Sequence, residues 1–238
     1  MVTSFDKYAL QGDYHWREAS RMGLRFNAPL VSRYNSVLKR IPLEANEILD
    51  FGCGDGYLTC LIARLTPRSL VTGLDGDRHG INVALQRASR IPNVRFQLSE
   101  TLALPFTAGT FDVIIMADVI EHLPDFKASL SEIRRVLRPR GTLIISTPHR
   151  QPTGKWDERH VFEFSASELR TEVANLFESV ELFGSWPMPY FRAWRRKGLG
   201  RILLDVTARL GWNAFDREVR DPDASYGQLL VTARGPEF

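Results

Sequence analysis

Residues 47–63 read EILDFGCGDGYLTCLIA, an apolar run, three glycines at alternate positions and then an apolar-rich stretch of helical period. Gly52, Gly54 and Gly56 fall directly between the first run and that stretch, where a strand must turn sharply into a helix and a ligand can press on the backbone. Outward from this turn the pattern repeats. LVTGLD (70–75), NVRFQL (93–98), FDVIIMA (111–117) and TLIIST (142–147) are short apolar runs bounded by Gly, Pro or Asp, as buried strands are. Between them, Tyr57 to Leu65, Arg78 to Arg90 and Phe126 to Leu137 have helical period; Phe126, Leu130, Ile133 and Leu137 share one face. Parallel neighbours need a crossover and helices supply it, so the alternation predicts an α/β, doubly wound, mostly parallel sheet covered on both faces. Ser165-Ala-Ser-Glu168 has the form of a capping box opening another helix to about Phe177, and SVELFG and YGQLLVTA add two strands, for seven in all.

The flanks complete the organisation. Residues 16–41 read as helical and close at Ile41-Pro42, because a residue before proline is pushed out of the α region. The expected division is an amino-terminal helical lid over 1–42, a Rossmann-like core over 43–186, an insert over 187–222 before the last strand, and that strand within 223–238. The length of 238 residues suits one α/β domain with additions. With 44% hydrophobic and 25% charged residues the chain is neither disordered nor repetitive. No stretch has the roughly 18 apolar residues of a bilayer span, and MVTSFDKYAL lacks a secretory pattern, so a cytoplasmic location is expected. Two cysteines, Cys53 and Cys60, are too few for a disulfide framework or zinc site.

The chemistry begins at the strand ends. Asp75, nineteen residues after Gly56, ends the second strand, where a carboxylate can accept both hydroxyls of a ribose. Asp50 precedes the glycine turn and Asp55 lies inside it. Carboxylates there repel a pyrophosphate and tolerate an ammonium and a sulfonium, and no Tyr-x-x-x-Lys pair of the small reductases is present. These points favour S-adenosylmethionine over a nicotinamide cofactor. ADVIEHLPD then offers Asp118, Glu121 and His122 after the fourth strand, and His149 and His160 follow the fifth; strand carboxyl ends are where open α/β sheets bind ligands, so both clusters are expected at one mouth.

ILDFGCGDG, VTGLDGD, SETLALPF, FDVIIMADVIEHLPD and RPRGTLIISTPHR, in this order, make Ile48 to Thr147 resemble the class I S-adenosylmethionine-dependent methyltransferases. The motifs are nearest to the ubiquinone-biosynthesis O-methyltransferase and methyltransferase type 11/12 branches. The resemblance implies that Gly52, Cys53, Gly54 and Tyr57 face the methionine part of the cofactor and that Asp75 and Gly76 face the ribose. Ser99, Glu100 and Thr101 would lie by the adenine, with Ala117 and Asp118 over the transferable methyl. Leu104-Pro105-Phe106 would pack under the adenine loop. Tyr8, Tyr14, Trp16 and Arg33 could form a lid over the cofactor carboxylate, or simply pack. His122, Glu121 and His160 are the implied catalytic residues. In the ubiquinone branch and in the small-RNA 2′-O-methyltransferases, Glu-x-x-Glu-His with a later His holds a divalent metal, which here would be Asp118, in place of the first Glu, with Glu121, His122 and His160; many relatives carry Glu-His with no metal, and there Glu121 would cap a helix and His122 act as base or line the pocket. Oxygen is the expected methyl acceptor, because a neutral imidazole suits hydroxyl deprotonation. The expected acceptor is a small or amphipathic molecule; the alternatives are an RNA 2′-hydroxyl and, on the glycine loop alone, nicotinamide-dependent oxidoreduction.

The net charge is +3, yet Arg192, Arg195, Arg196, Lys197, Arg201 and Arg209 face a single acid, Asp205, between Tyr190 and Trp212. The basic character therefore belongs to one segment, a candidate contact surface. Phe191, Trp194, Ile202, Leu203, Val206 and Leu210 interleave with these cations. Such a stretch can contact a membrane peripherally through 190–212, roof an apolar or lipid-like substrate, pair with another subunit, or cover the core as ordinary structure. No nucleic-acid-binding module is visible, so nucleic acid is not favoured as partner. Gly198 and Gly200 weaken any continuous helix there.

Overall fold

The computed structural model describes residues 7–20, 25–101, 103–152, 154–196 and 198–237. Lys197 of the basic segment, Leu102 and Thr153 within the motifs, residues 21–24 of the expected first helix, and 1–6 and 238 at the ends lie outside the described residues.

The amino-terminal segment holds three helices, α1 (Lys7–Gln11), α2 (Tyr14–Glu18) and α3 (Ala28–Leu38), where the sequence suggested one from 16 to 41. The break has a local cause: Asn27 is extended, its side chain accepts from the Leu30 amide at 3.0 Å, and Pro29 occupies the first turn, which together start a new helix. The core then alternates as β1 (Glu47–Phe51), α4 (Tyr57–Leu65), β2 (Leu70–Asp75), α5 (Arg78–Arg87), β3 (Val94–Leu98), β4 (Phe111–Ala117), α6 (Phe126–Val136) and β5 (Leu137–Pro148). Next come α7 (Ala166–Ala174), β6 (Glu178–Pro187), α8 (Met188–Arg195), α9 (Leu199–Arg209), β7 (Val219–Arg220) and β8 (Tyr226–Arg234). The capping box at Ser165 and Glu168 is formed and opens α7.

The sheet order is β3-β2-β1-β4-β5-β8-β6-β7. The first five strands of that order run parallel, and β8, β6 and β7 join antiparallel. Among the described residues there are eight strands, not seven: β7 is a two-residue pairing with Phe183 and Gly184 of β6, inside the insert and too short for a period-two pattern to reveal. Two apolar layers cover the sheet. Leu49, Ile114, Met116 and Leu143 pack toward α6 and α7 with Leu130, Ile133 and Leu169, while Ile48, Val113, Ile115 and Ile144 pack toward α3 and α4 with Leu30, Val37 and Ile62. The alternation along β1 and β4 thus sends successive side chains to opposite layers.

The insert forms a helical hairpin broken at Gly198. It is seated by a third apolar cluster, with Phe191 stacked on Trp186 at 5.2 Å and edge-on to Phe215. Asp205 of α9 faces inward and accepts from Trp194 Nε1 at 2.8 Å and the Ala28 amide at 3.3 Å. Among the described residues no helix is long and apolar enough to cross a membrane.

Candidate active site at the strand carboxyl ends

The parallel strands deliver two loops to one end of the sheet. In the first, Gly52, Gly54 and Gly56 all have positive φ, of 77°, 55° and 74°. The Gly52 amide donates to the Leu74 carbonyl at 2.7 Å, and the Gly54 amide to Asp75 Oδ2 at 2.7 Å, which ties the turn to the end of β2. Asp75 Oδ1 accepts from the Asp77 amide at 2.7 Å. Burial pushes the Asp75 carboxyl up, and the Asp77 and Gly54 amides pull it back toward its ionised form. Gly76 beside it is exposed. The Ser99 amide donates to the Asp75 carbonyl at 2.9 Å, so the loop bearing Ser99, Glu100 and Thr101 starts next to Asp75. Glu100 is exposed and 4.0 Å from the Arg78 guanidinium, and Thr101 Oγ1 donates to the Ala103 carbonyl. Leu104 and Phe106 pack into the core under this loop, Phe106 edge-on to Phe111 at 4.9 Å.

The amino-terminal helices lie on the glycine turn. A Cβ on Gly54 would sit 1.9 Å from Tyr8 Oη, and Tyr8 is buried. Asp55, fully buried, accepts from the His15 amide at 2.7 Å and lies 2.9 Å from His15 Nδ1, while its carbonyl accepts from Trp16 Nε1 at 2.9 Å. Tyr57 packs edge-on to Trp16 at 5.0 Å and against Tyr34 at 5.6 Å. Cys53 is buried, and burial raises its thiol well above the usual range, so it is not a thiolate at neutral pH.

The second loop follows β4. Asp118, next to Ala117 at the strand end, has φ 55°. Its carboxylate is enclosed by Ser146 Oγ at 3.0 Å, Gln228 Nε2 at 2.7 Å and the Arg33 guanidinium. Arg33 therefore meets a protein carboxylate here, yet its Nε is buried with no hydrogen-bond partner. Burial pulls Arg33 down and the Asp118 carboxylate lifts it, with a net upward shift that keeps it charged.

Two turns of chain converge beside this pair. Glu121, His122 and His160 each offer one ligand atom, and these atoms lie within 4.8 Å of one another; among the described residues this is the group that could hold a metal ion. Asp118, expected as a fourth ligand, lies outside it and is engaged as described above. Glu121 is 1% exposed; Oε2 accepts from Thr147 Oγ1 at 3.0 Å and Oε1 has no hydrogen-bond partner. Burial first, and then the Asp118 charge, push its carboxyl well above the usual range. The Val161 and Phe162 amides donate to the Glu121 carbonyl at 2.8 and 3.2 Å, bringing the His160 loop to this spot. His160 Nδ1 is 2.6 Å from Glu163 Oε1, and the His122 and His160 rings meet edge-on at 5.0 Å. His149 was expected at the same mouth but turns to β8: its Nδ1 lies 3.0 Å from the Tyr226 carbonyl, and burial lowers its pKa. His15 and Gln228 are site neighbours that no short motif marks, because each meets its partner only through the fold; Ser146, within RPRGTLIISTPHR, and Glu163, three residues after His160, lie in or beside the motifs.

Residues 43–187 match the family model described as a methyltransferase domain. The chain belongs to the class I S-adenosylmethionine-dependent methyltransferases. A probable S-adenosylmethionine-dependent methyltransferase of Mycolicibacterium smegmatis is 38% identical over 205 residues, 84% of this chain and 75% of that one. A ubiquinone biosynthesis O-methyltransferase of Coxiella burnetii is 30% identical over 57% of each chain. Phosphoethanolamine N-methyltransferase 2 of Haemonchus contortus, solved with S-adenosyl-L-methionine, superposes with a TM-score of 0.68 over 99% of this chain and 60% of that one; at 19% identity it shows the fold alone. In the methyltransferase, side chains on the glycine turn are excluded by positive φ and by close neighbours, Asp75 stands at the end of β2, and the Arg33 Nε is buried.

Proposed function

We propose that this methyltransferase transfers its methyl group to a hydroxyl oxygen of a small amphipathic acceptor, held between Glu121, His122 and His160. The observation that carries the reading is the convergence of these three donors around a buried Glu121 Oε1 with no partner of its own. The neighbouring Val161 and Phe162 are exposed apolar side chains, suited to the apolar body of such an acceptor.

When bound, the cofactor supplies an electrophilic methyl on a sulfonium; the chain must align the acceptor with it and take up a proton. Gly52, Gly54 and Asp75 would hold the cofactor from the β1 and β2 ends. A carbonyl oxygen can only accept, so His122 Nδ1, 3.3 Å from the Arg159 carbonyl, carries its hydrogen. The Glu163 carboxylate favours the Nδ1–H form of His160, leaving Nε2 with the lone pair. That nitrogen can accept the hydroxyl proton. A divalent cation would fit the same mixed carboxylate and imidazole set of Glu121, His122 and His160, with Glu163 steadying His160 from behind. Bound there, it would supply Lewis acidity to the hydroxyl.

Turnover assays on phenolic, lipid-like, sugar and RNA acceptors test the assignment. Methylation at oxygen is expected, and His160→Ala should lower turnover by about 10² or more while S-adenosylhomocysteine still binds. Chelator followed by Mn²⁺, Zn²⁺ or Mg²⁺ separates the two forms: loss and recovery shows the cation, and no effect shows the imidazole alone. Full activity in both His122→Ala and His160→Ala would refute the site.

A further inference from the structure

Helix α9 is inside out. Leu199, Ile202, Leu203, Val206 and Leu210 recur at spacings of three and four, so they share one face, and all are exposed, at 75%, 59%, 58%, 46% and 83%. Trp212, beyond the helix end, is also exposed, at 60%. The opposite face, with buried Ala208 and with Asp205 bonded to Trp194 and Ala28, is turned to the protein. A helix on a water-facing surface ordinarily presents its charged side outward and its apolar side inward. Here the apolar side is outward over the full length of the helix.

The rim of this strip is cationic. Arg192, Arg195 and Arg196 are exposed at the end of α8, next to the start of α9, and the one acid of the hairpin, Asp205, is turned inward and paired with Arg201. A contiguous apolar strip of this kind marks an interaction surface. From it we propose that the α8–α9 hairpin docks the enzyme on an anionic lipid bilayer, with the leucine and isoleucine side chains in the interface and the arginines on the headgroups. A second copy of the chain fits poorly. A second copy of this surface brings the same basic flank and no outward-facing acid of the hairpin to meet it. An anionic bilayer satisfies both features at once: shallow burial of an apolar face and attraction to the basic flank.

The surface adjoins the active site. Arg195 lies over the Trp156 ring at 5.6 Å, and Phe191 packs on the same ring at 4.9 Å. The Trp156 amide donates to Glu163 Oε1 at 2.7 Å, the oxygen that also meets His160. A docked hairpin would thus set the His160 loop close to the lipid surface. The inference goes beyond the acceptor assignment and does not depend on it, since docking is read without turnover.

The test is flotation of the full chain with vesicles of phosphatidylcholine, with and without phosphatidylglycerol. Wild type should float with the anionic vesicles, less so as salt rises, because exposed charges are screened over about 8 to 10 Å. Leu203→Asp with Val206→Asp should weaken the association at least tenfold while S-adenosylhomocysteine binding is retained. Arg192→Ala and Arg196→Ala should each weaken it about fivefold. If the double variant loses S-adenosylhomocysteine binding, Leu210→Asp, beyond the helix end, gives the same reading with less risk to the fold. Wild type that stays out of the anionic fraction at low salt, or aspartate variants that float as well as wild type, would overturn the proposal. So would a dimer in sedimentation that the aspartate variants abolish.

Discussion

Replacing Arg33 by Met should unfasten the loop after β4. Its guanidinium and the Asp118 carboxylate form an ion pair with side chains only 11% and 18% exposed. Breaking a buried pair by removing one partner costs about 3 to 5 kcal/mol, because the other charge stays behind without its counterion. Ser146 Oγ and Gln228 Nε2 continue to donate to Asp118, so the low end applies, about 3 kcal/mol. Asp118→Asn alone strands the Arg33 cation at a similar cost. The double variant Arg33→Met with Asp118→Asn leaves no charge behind, and its loss should be near that of one single variant instead of their sum. The coupling is therefore about 2 to 3 kcal/mol, against an additivity error of about 0.5 kcal/mol for independent sites. Urea denaturation at neutral pH, with the slope checked to be unchanged across the four proteins, measures the cycle. Single-variant losses that simply add would refute the ion pair as the link between α3 and this loop.

Two further outcomes rest on the glycine turn. Asp75→Ala should raise the dissociation constant for S-adenosylhomocysteine at least tenfold in calorimetry, since hydrogen bonds to a charged group contribute about 1.5 to 3 kcal/mol each; an unchanged value in a folded variant would remove Asp75 from the cofactor site. Asp50 is buried beneath the turn, and burial raises its carboxyl to about 7 despite the 2.6 Å hydrogen bond from Thr59. A carboxyl that is harder to ionise in the folded state contributes stability below its ordinary pKa, and that contribution is lost as pH rises through about 7. Asp50→Asn should therefore match wild type near pH 4 and gain about 2 to 4 kcal/mol on it by pH 8; parallel stability curves would show that Asp50 ionises freely.

Much of this was readable in the sequence because the sheet is built from short runs punctuated by Gly, Pro and Asp, and burial on both faces makes such runs almost wholly apolar. The parallel direction of β1, β2 and β3 followed from α4 and α5, and that of β4 and β5 from α6, whereas no helix joins β3 to β4 and the order of the strands was not legible. The break before α3 was missed for a specific reason: the mixture of polar and apolar residues continues through it, and the Asn27-Ala28-Pro29 start signal sits within that pattern. Long-range polar pairs left no trace either. Arg33 and Asp118 are 85 residues apart, and His15 and Asp55 are 40 apart, so only the fold brings their charges together. The sequence likewise shows that 190–212 is amphipathic, but which side of α9 faces water depends on the Trp194–Asp205 and Ala28–Asp205 contacts, and these invert the ordinary expectation.

Those pairs make the amino-terminal helices part of both halves of the site. Arg33 and Tyr34 are neighbours on α3: the first reaches the Asp118 carboxylate on the loop after β4, the second packs on Tyr57 at the start of α4, next to the glycine turn. α1 and α2 add Tyr8 over Gly54 and His15 on Asp55. Their anchoring is unequal. α3 is an 11-residue helix with a formed cap and a buried face, whereas α1 and α2 have five residues each, too short to hold together without the contacts they make. With Tyr8 Oη 1.9 Å from the place of a Gly54 Cβ, no further group can lie on that glycine while the ring is there. Tyr8 thus belongs to the weakly anchored helices, while Arg33 on α3 holds the loop after β4 through Asp118.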